Sequence, residues 1–251
     1  APERFDILPL LVMTDGTIVT SSALVDGMVR VLAVSPDERF VAVAGEGDPI
    51  QIATLPDLAR LTSLPRRARL VTWDPTRPGE LVTTGTHVER WRLDTADPDR
   101  PLSGAHAIGL RDGVTSIDAD STRPDRLGIA FGPYGGTVDH DGLRSVEPGL
   151  VTAKSASLSG EVLTVVGIYG GTRYALPTLP RLGIFPWMAV RRMVTLDDGA
   201  DLVVGYSWIG RVIGQRQETL DMREGYDLSA APGRRFAVYV RQVDRMLVRV
   251  R

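Results

Sequence analysis

The stretch VLAVSPDERFVAVAGE, Val31 to Glu46, decides how the chain is read. Two apolar runs, Val31–Val34 and Phe40–Ala44, flank the polar segment Ser35-Pro36-Asp37-Glu38. Proline presets φ, and serine and aspartate side chains hydrogen-bond nearby backbone, so the segment predicts a β-hairpin that ends at Gly45. The layout returns five more times. Leu70–Trp73 is followed by Leu81–Val82, Val114–Ile117 by Leu127–Phe131, and Ser155–Leu158 by Val162–Val166. Met193–Leu196 is followed by Leu202–Val204, and Leu228–Ser229 by Phe236–Val240. The second runs begin 34 to 46 residues apart, a spacing that marks a repeat architecture.

Two further short strands are predicted between most hairpins: Ile50–Ile52 and Leu58–Leu61, Val88–Leu93 and Ala107–Leu110, Thr172–Leu176 and Leu182–Phe185, Arg211–Gly214 and Thr219–Met222. Helical periodicity is weak throughout, with Leu58–Leu64 its best instance. Four antiparallel strands in about forty residues is the unit of a β-propeller. A sheet that is apolar on both faces must be covered on both, which explains continuous runs such as Val162–Val166. The expected fold is therefore all-β: a propeller of four-stranded antiparallel blades, six by the hairpins, with seven as the alternative. The blade units fall at roughly 28–65, 66–112, 113–152, 153–190, 191–225 and 226–251, within one propeller domain spanning 1–251. The last unit has three strands, and Thr17–Ser21, within 13–27, is expected to supply its fourth and close the ring. Residues 1–12 are left as a linker or an extra strand.

SPDERFVAVAGE resembles the turn-strand-glycine signature of WD40 repeats, and Val88–Asp94, VERWRLD, resembles their third strand. The Trp-Asp dipeptide itself is missing, since Trp91 and Asp94 are separated, and so is the usual Gly-His. Gly104-Ala105-His106 comes nearest to the latter. The family's Asp–His–Ser/Thr–Trp network is not assignable to any repeat.

Composition narrows the function. The 251 residues are 43% apolar with a net charge of −2, so no overall field favours nucleic acid or an anionic membrane. No apolar run approaches the roughly 20 residues of a spanning helix, and no signal peptide is read in APERFD, with an already cleaved signal as the alternative. With no cysteine, disulfides and thiolate sites are excluded, and a cytoplasmic location is expected. Lys154 is the single lysine among 29 basic residues, a bias that points to a GC-rich bacterial coding sequence. The chain begins with Ala1 rather than methionine, as expected of either a processed protein or an excised domain.

The resemblance implies ligands at the mouth of a central channel, or on the face made by fourth-to-first and second-to-third strand loops. Here those loops carry Arg66, Arg67, His87, Arg111, Tyr134, Tyr169, Arg191, Arg192 and Trp208. Arginine beside exposed aromatics is the composition of a binding hot spot. The same residues also serve as solvated turn arginines and as aromatics that cap sheet cores. In TVDHDGL, Asp139 and Asp141 are the weak metal candidates; an Asp-Gly turn explains the same letters. Phe185-Pro186-Trp187-Met188 is either an exposed docking patch or a closing contact between repeats.

No catalytic residue and no cofactor is assigned. The histidines are His87, His106 and His140, no G-x-S-x-G elbow occurs, and Gly170-Gly171 opens no helix. The sequence predicts a non-enzymatic propeller that binds a protein, a peptide or a neighbouring domain, as the sensor or scaffold of a larger bacterial protein. The alternative is a propeller enzyme of hydrolase or lyase type acting on a small molecule at the channel mouth.

Overall fold

The computed structural model describes residues 10–12, 18–20, 29–45, 49–55, 57–64, 70–77, 79–85, 87–94, 102–110, 113–119, 123, 126–149, 152–185, 189–214, 216–222, 225–230, 237–241 and 247–250. Every strand pairing among them is antiparallel. No helix among these residues is long and apolar enough to cross a membrane. The chain divides into two units, 1–110 and 111–251.

In the first unit, β1 (Leu10–Val12) pairs with β2 (Ile18–Thr20). Two four-stranded meanders follow. One is β3 (Val29–Val34), β4 (Phe40–Gly45), β5 (Gln51–Thr54) and β6 (Arg60–Ser63). The other is β7 (Leu70–Trp73), β8 (Glu80–Thr84), β9 (His87–Leu93) and β10 (Leu102–Gly109).

The β3–β4 turn works as its letters require. Ser35 Oγ donates to Asp37 Oδ1 at 2.6 Å and accepts from the Phe40 amide at 2.9 Å, while the Glu38 amide donates to the Ser35 carbonyl at 2.9 Å. Closing the turn puts Glu38 at φ +56°, in the left-handed region. β4 is buried on both faces. Phe40, Ala42 and Ala44 join Ile50, Ile52, Leu64, Trp73 and Leu81 in one cluster, whereas Val41 and Val43 join Ala53 in another. Burying each valine contributes about 1.5–3 kcal/mol. Trp73 ties the two meanders together, stacking on Phe40 at 6.2 Å and donating Nε1–H to the Ala33 carbonyl at 3.0 Å.

Trp91 donates Nε1–H to Thr83 Oγ1 at 3.0 Å, tying β9 to β8 within the second meander.

In the second unit, the first meander is β11 (Val114–Ala119), β12 (Leu127–Phe131), β13 (Tyr134–Asp139) and β14 (Gly142–Val146). Next come β15 (Ala153–Ser159), β16 (Val162–Gly167), β17 (Gly170–Ala175) and β18 (Arg181–Phe185). Then follow β19 (Val190–Thr195), β20 (Asp201–Gly205), β21 (Ile209–Ile213) and β22 (Arg216–Asp221). A three-stranded sheet ends it: β23 (Gly225–Ala230), β24 (Ala237–Arg241) and β25 (Leu247–Val250).

A seam of hydroxyls joins the leading strands β11, β15 and β19. Ser155 Oγ lies 3.4 Å from Ser116 Oγ and accepts from the Met193 amide at 3.2 Å. Two residues on, Ser157 Oγ donates to Asp118 Oδ2 at 3.1 Å and accepts from the Thr195 amide at 3.1 Å. Thr195 Oγ1 continues the line to Asp201 Oδ1 at 2.7 Å. Sheets also approach closely where β13 lacks side chains. A Cβ on Gly135 would lie 2.2 Å from Val165 Cγ2.

Two expectations shift. The strand expected from Leu58 begins at Arg60, because Leu58 takes φ +55° in the preceding turn, and the weak helical pattern there belongs to an edge strand. β10 starts at Leu102 rather than Ala107 and carries a bulge between Gly104 and Ala107. Of the two forms expected of residues 1–12, a linker or an extra strand, Leu10–Val12 takes the strand, paired with β2.

Candidate binding site

The second-to-third strand turns of the second unit bring aromatic residues to the ends of successive sheets. Tyr134 follows the β12–β13 turn, its ring 5.5 Å from that of Phe131. Tyr169 sits in the β16–β17 turn and is 65% exposed. Tyr206 opens the β20–β21 turn, with the Arg191 guanidinium 4.1 Å above its ring. Ala189 links two of these turns. Its amide donates to the Ile168 carbonyl at 2.5 Å, and its carbonyl accepts from the Tyr206 amide at 3.0 Å. The backbone bonds of Ala189 thus hold the turns of Tyr169 and Tyr206 side by side, with one face of the Arg191 guanidinium covered by the Tyr206 ring.

Other expected site residues do different work. Arg192 reaches across the leading strands, donating to the Thr115 carbonyl at 3.0 Å and the Lys154 carbonyl at 3.2 Å. Trp208 packs on Val166, Val190, Met193, Val203 and Val212, and it lies so close to Gly205 and Gly210 that a Cβ on either would meet it at 2.6 Å. In the first unit, His87 is exposed at the start of β9, beside Gly109. Arg66, Arg67 and Arg111 lie outside the described residues, as do Pro186, Trp187 and Met188.

Asp139, His140 and Asp141 form the β13–β14 turn, with donor atoms within 4.8 Å of one another. The Asp141 amide donates to Asp139 Oδ1 at 2.9 Å, a local turn bond. Arg144 sets its guanidinium 3.2 Å from Asp141 Oδ2 and 3.8 Å from Asp139 Oδ2, and His140 Nε2 lies 3.2 Å from Asp141 Oδ1. The positive charge beside both carboxylates is that of Arg144.

A groove of about 1080 Å³ opens between the sheets β15–β18 and β19–β22. Its floor holds Arg173 and Asp201, which are hydrogen-bonded and ion-paired, with the Arg173 guanidinium 4.5 Å over the Phe185 ring. Asp201 is fully buried, and desolvation holds its carboxyl above the usual carboxylate range against the lowering pull of Thr195 and Arg173. Trp208 and Val212 form one wall; Leu182, Ile184 and Met222 form an exposed apolar rim. Loop-based reasoning from the sequence missed this groove. The available signal was Leu182-Gly183-Ile184-Phe185, an uncharged strand at an edge position.

No protein-family model and no curated protein matches the chain. Among solved structures it is similar to the β-propeller domain of Cps50 (Swd1) from Myceliophteria thermophila. The TM-score is 0.72 at 13% identity, over 96% of this chain and 91% of that one. Set beside the repeated meanders and the Ser35–Glu38 turn, that likeness gives the chain the fold of a WD40-like β-propeller.

Proposed function

We propose that the chain is a non-enzymatic binding module for a protein or peptide, acting as the sensor or scaffold part of a larger bacterial protein. A propeller fold by itself assigns no activity. The observation that carries the reading is the patch of Tyr169, Tyr206 and Arg191, backed by the backbone bonds of Ala189. Rigid aromatic side chains with a stacked arginine offer large contact area at little ordering cost, which is what hot spots are made of. The arginine-rich, lysine-poor composition supports a bacterial source.

Peptides selected from a random library on the whole chain test the patch. Tyr169→Ala and Arg191→Ala should each weaken the best binders by about tenfold or more. The unfolding midpoint of Tyr169→Ala should not move, because that ring is exposed. Unchanged affinity in both variants refutes this assignment.

A further inference from the structure

β18 is the outermost strand of its sheet, and among the described residues no strand pairs with its far side. Exposed edges are normally blunted by charge. β22 follows that rule with Arg216 and Glu218, whereas β18 has no charge after Arg181. Leu182 and Ile184 are 57% and 64% exposed. By the two-residue pleat these two share one face of the sheet, and Gly183 and Phe185 share the other. That second face turns to the groove. Arg173, the register partner of Gly183, lines the groove and covers the Phe185 ring.

We propose that β18 takes an extended peptide as a fifth strand of its sheet. Backbone hydrogen bonds to the free edge supply affinity, and alternate side chains supply selectivity. One set enters the groove against Trp208, Val212 and Met222; the other covers Leu182 and Ile184. The five residues of β18 span about 17 Å, the length of an equally short peptide. A second copy of the chain pairing through so short an edge would leave the groove unfilled. It would also fall short of the roughly 1,200–2,000 Å² that stable protein interfaces bury.

Charge sets the polarity of the peptide. Ser155 meets Met193 and Ser157 meets Thr195, so the leading strands of the two sheets run in parallel, and therefore so do β18 and β22. Arg181 and Arg216 begin these strands at one common end, both exposed and neither ion-paired among the described residues. The carboxylates nearby are outnumbered. Glu161 pairs with Arg123 and Arg126, Asp198 with Arg211, and Asp201 with Arg173, which leaves Asp197 and Glu218 with Arg181 and Arg216, six arginines against five carboxylates among the described residues. That end favours an acidic residue, so the ligand is a short peptide of alternating apolar residues flanked by aspartate or glutamate.

The test pans a phage-displayed random peptide library on the whole chain and measures labelled selected peptides against the wild type, Ile184→Lys and the double variant Arg181→Glu/Arg216→Glu. Selected sequences should alternate apolar residues beside an acidic one. Ile184→Lys should weaken them by about tenfold or more, and the charge reversal should redirect selection toward basic peptides. Amide exchange across β18 should slow on binding. All three substituted side chains are exposed, so an unchanged unfolding midpoint certifies the fold. Four outcomes overturn the proposal: failure to select a binder, binding indifferent to Ile184→Lys, unprotected β18 amides, or a wild-type dimer that Ile184→Lys dissolves. Binders sensitive to Tyr169→Ala but not to Ile184→Lys remove the β18 site and leave the turn patch standing; the reverse removes the patch alone.

Discussion

Adding one methyl group at Gly135 should cost about 3 kcal/mol, near the top of the range for overpacked cores. The new Cβ would sit 2.2 Å from Val165 Cγ2, 2.8 Å from Cγ1 and 3.0 Å from Cβ. Val165 is fully buried among Ala130, Ala156 and Leu163, and its β-branched side chain has little rotameric freedom with which to yield. Glycine's extra freedom in the unfolded chain returns only about 0.4–1 kcal/mol to the alanine variant. Val165→Ala alone should cost about 2 kcal/mol, from two lost methyl groups and the cavity they leave. In the double variant the methyl on residue 135 enters the vacated space, so the overpacking cost disappears and the cost of Val165→Ala remains. The double variant should therefore lose about 2 kcal/mol rather than the additive sum of about 5, a coupling of about 3 kcal/mol. Urea midpoints of the wild type, both single variants and the double variant measure all four corners. A cost below about 0.5 kcal/mol for Gly135→Ala, or additivity within about 0.5 kcal/mol, refutes the close approach of these strands.

Two further predictions address the turn and the groove floor. Glu38→Gly should stabilise the chain by about 0.5–1 kcal/mol, since a left-handed non-glycine residue costs roughly 1–2 kcal/mol and glycine gives part of that back in the unfolded state. Gly160 and Gly199 already hold comparable turns at φ +55° and +79°, and an unchanged or lowered midpoint would contradict the argument. Asp201 binds its proton more tightly folded than unfolded, so its contribution favours folding in acid. That contribution turns against folding as pH climbs from the unfolded carboxylate range through the raised folded value. Asp201→Asn should flatten this limb of the stability curve, and a wild-type-minus-variant stability that rises with pH would be the wrong sign.

The repeat was legible because its punctuation is local. Ser35, Pro36 and Asp37 act on backbone within a few residues, and the alternation of Phe40, Ala42 and Ala44 against Val41 and Val43 reports burial on two faces directly. β10 was read short because Leu102-Ser-Gly-Ala carries loop letters, and the bulge that accommodates them depends on pairing with β9. The site was less legible for the same reason. Arg191 and Arg192 are neighbours with identical side chains, yet one stacks on Tyr206 and the other binds the carbonyls of Thr115 and Lys154. Thr115 is 77 residues away in sequence, and no local pattern encodes that distance. The groove escaped because it belongs to no loop; it exists where two sheets diverge.

The hydroxyl seam has a dynamic consequence. Each link from β11 through β15 to β19 joins a side chain of one repeat to the backbone or side chain of the next, so no leading strand can detach without breaking bonds held by its neighbour. In repeat architectures such nearest-neighbour terms set how far an opening propagates. The inner amides of these strands should consequently share one exchange free energy and open as a single cooperative block, while outer strands such as β18 and β22 fray independently. An edge strand that frays alone can change its pairing without disturbing the ladder that anchors its sheet.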